Sequence, residues 1–88
     1  MSSKIIEYDL CSPGRNYDEL YELIKSCPKW ARITESTWFV KTNLTCAELR
    51  DKLRAKLDKN DRIFVGGLSG YAAWSNVKCD STYLKNNL

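Results

Sequence analysis

Histidine is absent from the 88 residues. That removes the commonest general base, the commonest metal ligand and the usual switch near neutral pH. Any chemistry must rest on carboxylates, thiols, hydroxyls or a bound cation. No Cys-x-x-Cys pair occurs among Cys11, Cys27, Cys46 and Cys79, which argues against a zinc ribbon or a dithiol redox motif. No apolar run is long enough to span a bilayer, so no membrane partner is expected. Repeats, low-complexity tracts and linkers are also missing. The expectation is one domain over 1–88, with a core at about 4–70 and a C-terminal extension over 71–88. Met1-Ser2-Ser3-Lys4 runs straight into the first apolar stretch without a leader pattern. This start points to a cytoplasmic protein with reduced, mostly buried thiols, although four cysteines would allow two disulfides.

What is present is an aromatic load of three Trp, five Tyr and two Phe, heavy for a chain this small. A domain of this size buries a modest share of its surface, so part of the apolar surface is expected to meet a partner. A homodimer is the simplest one. The net charge of +3 permits a polyanion such as RNA or DNA without demanding it.

Residues 4–10 alternate, with Ile6, Tyr8 and Leu10 on one face and Ile5, Glu7 and Asp9 on the other, which reads as a strand. Ser12-Pro13-Gly14-Arg15 reads as a loop. Asn16 as N-cap, with Glu19 three residues on, predicts a helix over about 17–27 that Pro28 stops. Its apolar face is Tyr17, Leu20, Tyr21, Ile24 and Cys27. The β-branched and aromatic stretch from Trp30 to Thr42 is too long for one ordinary strand. It splits into a hairpin over 30–34 and 37–42, bent at Glu35-Ser36, with a single bulged strand as the alternative. Thr45 and Glu48 form a capping box for a second helix, Leu44 staples onto Leu49, and Leu49, Leu53 and Leu57 make its apolar stripe. Arg50, Lys52, Arg54 and Lys56 lie largely off that stripe, where a solvated face is the simpler reading and a phosphate backbone the alternative. Arg62-Ile63-Phe64-Val65 is the fourth strand. Gly66, Gly67 and Gly70 loosen the chain beyond it, and a short helix is expected near Ser81–Asn86.

The order β-α-β-β-α-β predicts an α+β domain of ferredoxin-like arrangement. It has a four-stranded antiparallel sheet with two helices on one face and a C-terminal extension. The opposite face has no helix to cover it in this reading. Water, nucleic acid or a second subunit is expected there.

Asp9 ends the first strand beside a loop holding Gly14 and Arg15. A carboxylate there can ligate Mg²⁺ or Mn²⁺, and two of them across a dimer axis could hold a cation that activates water against a phosphodiester. The alternative is a loop cap through backbone N–H groups. Arg32 can bind phosphate in a bidentate manner, Ser36 can add a hydrogen bond, and Arg15 is a further cation for a phosphate. The alternative for Arg32 is an ion pair with Glu7 or Glu35. Trp38 and Phe39 point to opposite faces, and packing in a core or interface is the simpler role for both. The aromatic-rich terminus also suits a protein-interaction module.

Tyr8-Asp9-Leu10, with Arg32, Ser36 and Trp38 at matching spacing, resembles the small CRISPR-associated Cas-two proteins and their relatives, including virulence-associated toxins. Pro13-Gly14-Arg15-Asn16-Tyr17, Ser36-Thr37-Trp38 and Lys41-Thr42-Asn43-Leu44 are closer to the SinR-like group. The resemblance covers about residues 4–70 and implies a ferredoxin-like homodimer that acts on nucleic acid. Its members are metal-dependent endonucleases or non-catalytic scaffolds. Carried over, Asp9 would hold the metal, and Arg32 and Ser36 would meet phosphate. Trp38 stands where phenylalanine is usual, and residues 71–88 depart from the usual swapped terminal strand.

Overall fold

A computed structural model describes residues 1–12 and 14–88. Pro13, assigned by composition to the first loop, lies outside the described residues. The elements are β1 (Ser2–Asp9), α1 (Asp18–Lys25), β2 (Lys29–Arg32), β3 (Thr37–Thr42), α2 (Cys46–Arg54), β4 (Arg62–Gly67) and α3 (Ser81–Asn87). The strands form one antiparallel sheet in the order β2-β3-β1-β4, which is the ferredoxin-like arrangement. The hairpin reading of the second and third strands holds, with β2 confined to Lys29–Arg32.

On one face Ile6, Tyr8, Trp38 and Val40 pack against Leu20 and Ile24 of α1 and against Leu49, Leu53 and Leu57 on α2 and the turn after it. Burying one such aliphatic side chain is worth roughly 1.5–3 kcal/mol. Trp38 lies 6.0 Å from Tyr21 and 5.9 Å from Trp30, ring centroid to ring centroid. Its indole N–H donates to the Tyr8 hydroxyl at 2.9 Å, so the buried polar end is satisfied.

The second face differs from expectation. Ala31 and Phe39 are covered by Leu84 of α3, with Ile33, Leu68, Trp74 and Leu88 packed around them. The extension therefore covers the half of the sheet that β2 and β3 provide. Phe39 is thus as fully buried as Trp38, on the opposite side of the same strand. Among the described residues the β4 side of this face stays open, where Phe64 keeps 63% of its surface exposed.

Several boundaries move for local reasons. The box predicted between Asn16 and Glu19 does not form. Tyr17 is the N-cap residue and makes no side-chain cap bond, while the Asn16 side chain accepts from the Asp18 N–H at 2.8 Å, a bond that bends the chain before the helix. The box at Thr45 and Glu48 forms as expected, with bonds of 3.1 and 2.9 Å. β4 runs through both glycines. A Cβ at Gly66 would lie 2.8 Å from the Phe64 ring, so the ring lies over the bare backbone there. The thiols are free, but Cys11 is exposed and the other three are half-buried, not mostly buried as expected. Among the described residues no helix is long and apolar enough to cross a membrane.

Candidate functional site

The first loop and the α2–β4 connection are tied through one carboxylate. Asp61 is buried and accepts from the Cys11 N–H at 2.6 Å, the Asp58 N–H at 2.8 Å and the Tyr17 hydroxyl at 2.8 Å. Burial works against its ionisation, yet these donors outweigh it and hold its carboxyl below the ordinary aspartate value. Burial first, and then the Asp61 partner, push the Tyr17 phenol up. Asp58 accepts from the Ser12 hydroxyl, and that bond with the Lys59 N–H lowers its carboxyl too. Arg54 completes the hub by donating to the backbone carbonyls of Asp61, at 2.7 Å, and Asp58.

This hub positions Arg15. Gly14, at φ +84°, takes the left-handed conformation that a side chain disfavours, and the Arg15 N–H closes the turn on the Ser12 carbonyl at 3.1 Å. The Arg15 guanidinium then donates to the Lys56 carbonyl at 3.2 Å and lies 5.4 Å from the Tyr17 ring centre. Lys52 and Lys56 share one side of α2 and the turn after it, four residues apart, and Lys59 comes in the next turn. The spacing therefore sets these lysines along the end of α2 and the turn after it, with Arg15 held against that turn at the Lys56 carbonyl.

The other residues singled out in the sequence, Asp9, Ser36 and Arg32, each have partners outside that group of cations. Asp9 is exposed at the end of β1, with its carboxylate 3.7 Å from Arg62 Nη1 on the neighbouring strand. Ser36 donates to Glu7 Oε1 at 2.9 Å and Thr37 donates to Oε2, so Glu7 is held by two hydroxyls. Arg32 points to the helix side of the sheet, 5.0 Å from the ring centres of both Tyr21 and Trp38. It donates to the Glu35 carbonyl at 2.7 Å and lies 3.8 Å from the Glu35 carboxylate, so it forms the ion pair weighed as its alternative role. Among the described residues, its buried Nε has no hydrogen-bond partner.

For a divalent cation the donor set of one chain does not fit. Asp9 offers a single exposed carboxylate already paired with a guanidinium, and among the described residues no three Cys, Asp or Glu side chains converge.

The Asp61 hub leaves little local signal in the sequence. Asp58 and Asp61 bracket a turn, and that spacing is the signal available in the sequence. Their partners Ser12, Cys11 and Tyr17 lie more than forty residues away in the chain, at separations of 46, 50 and 44.

No family model, curated protein or solved structure matches the chain.

Proposed function

We propose that the protein binds nucleic acid along the ridge formed by Arg15, Lys52, Lys56 and Lys59. The observation that carries this reading is the anchoring of Arg15 on the Lys56 carbonyl, which gathers Arg15 with the lysines of this stretch, while the ionised Asp58 and Asp61 offset part of that charge and direct their oxygens to internal donors. Phosphate contacts from Lys and Arg supply most non-specific affinity through counterion release. Arg15 adds a planar fork suited to a phosphate oxygen pair. The resemblance to Cas-two proteins agrees with this substrate class. In this reading the protein acts as a dimer in the cytoplasm, where its thiols stay reduced.

Fluorescence anisotropy with labelled RNA and DNA 20-mers tests the proposal. Affinity should fall linearly with salt on logarithmic axes, and Lys56→Glu with Lys59→Glu should weaken binding at least tenfold on any sequence. Flat titrations at low salt would end this reading.

Phosphodiester hydrolysis is a second reading, favoured by the exposure of Asp9 at the start of the same loop. It needs oxygen donors beyond this chain, such as a second Asp9 across a dimer axis. Mn²⁺-dependent cleavage that disappears in Asp9→Ala, with binding retained, would support it. Cleavage surviving that substitution would remove it.

A further inference from the structure

The geometry points to a second binding site, a cleft along the outer edge of β2 that takes an extended acidic polypeptide as an added strand. The cleft has a volume of about 550 Å³ and lies between β2 and the start of α3. β2 is an edge strand, paired only with β3. The Ile33 N–H to Thr37 carbonyl bond at 2.8 Å fixes the alternation along this pair. It makes Ala31–Phe39 and Lys29–Lys41 the hydrogen-bonded positions, so the backbone N–H and C=O groups of Trp30 and Arg32 face away from β3. Beyond the end of β2 the Lys78 N–H of the extension donates to the Ile33 carbonyl at 2.9 Å.

The walls set the chemistry of the occupant. Lys29, Arg32 and Lys78 line the cleft with Asp80, whose carboxylate accepts from the Thr82 N–H as the cap of α3. Glu35 pairs with Lys78 and lies 3.8 Å from Arg32, so among the described residues Lys29 is the lining cation left without an acid. Lys25 stands beside them, its ammonium 5.2 Å from the Trp30 ring centre. Lys29 now donates to the neutral Asn87 side-chain oxygen, at 2.6 Å, which a carboxylate displaces with gain. Trp30 and Tyr83, 38% and 37% exposed, give the cleft apolar surface for a residue between the acids. A repeating row of backbone donors and acceptors matches a peptide main chain. A stacked base finds little room, because Trp30 already packs near Trp38 and under Lys25. The proposal is independent of the ridge, which lies with α2 toward the β4 edge of the sheet.

The test uses the full chain and a fluorescein-labelled decapeptide of alternating glutamate and valine, with a lysine–valine decapeptide and oligothymidylate as controls. The acidic peptide should bind, slow amide exchange at Trp30 and Arg32 at least tenfold, and lose affinity at least tenfold in Lys25→Glu with Lys29→Glu. N-methylation of alternate peptide residues should abolish binding to the unaltered protein, a readout that needs no variant. Unchanged exchange at those two amides, or equal binding of the lysine peptide, would overturn the proposal. So would protection of the same amides by oligothymidylate, which would give the cleft to nucleic acid.

Discussion

Asp61 shows how one buried carboxylate can organise two loops. Truncation to alanine strands two backbone N–H groups and a phenol, and each unsatisfied buried group costs about 1–3 kcal/mol. Asp61→Ala should therefore lower unfolding free energy by about 2–4 kcal/mol in urea titrations. The pH dependence comes from the direction of the shift. The folded carboxyl ionises below its unfolded value of about 3.9. Its contribution is fully present above that value and is lost as the pH falls through the folded one. Asp61→Asn should flatten the acid limb of stability below about pH 4 relative to the parent, as read from urea midpoints between about pH 2 and pH 7. Arg32 makes a different case. Its guanidinium is occupied by two rings and the Glu35 carbonyl, so Arg32→Lys should cost about 1 kcal/mol of stability and leave oligonucleotide affinity unchanged. A selective loss of affinity would return Arg32 to a phosphate-binding role. The type of each residue was legible in the sequence. For Arg32 so was Glu35, three residues on, but not the two rings, because Tyr21 and Trp38 come to it from other elements.

Elements were read best where their signals are local. The α2 capping box closes between residues three apart, and Thr45→Ala should cost about 1 kcal/mol. Asn16 offered the same pattern, yet its side chain reaches the Asp18 N–H instead, so helix α1 starts without the box. The short α3 could be placed from Ser81 onward, but its role depends on where it lands. Leu84 is buried against Ala31 and Phe39 and is the main anchor of the extension. Leu84→Ala should cost about 2–4 kcal/mol, and limited proteolysis should then cut within 68–80 before the sheet core opens. Resistance equal to the parent would mean that the flanking Leu68, Trp74 and Leu88 suffice.

At the scale of the molecule, the sheet order separates two differently built edges. The β2 edge carries Lys29 and Arg32, comes directly after Pro28 and is flanked by the extension. These are features that keep an edge from pairing indiscriminately. The β4 edge exposes Phe64 and two glycines with Arg62 as its one charge, and it is the surface most open to a second copy. In the proposed dimer, Phe64→Asp should shift the mass measured by light scattering toward the monomer. Because α2 packs toward β4 and the cleft runs along β2, oligonucleotide and acidic peptide should bind without competing. Anisotropy titrations of one in the presence of saturating other should give the same midpoint, apart from the small offset expected from added charge.

The sequence by itself determined the element order and the antiparallel sheet that results from it, because alternation, apolar periodicity and the Thr45 box act between neighbours along the chain. It also put Trp38 and Phe39 on opposite faces, since successive side chains on a strand must alternate. Only the tertiary structure decided that Leu84 closes half of the second face, that Asp61 gathers Cys11, Asp58 and Tyr17, and that Asp9 pairs with Arg62 while Ser36 turns to Glu7. Most of those contacts join residues far apart in the chain. Strand register and the path of the extension fix them, and both emerge only when the whole chain collapses around one core.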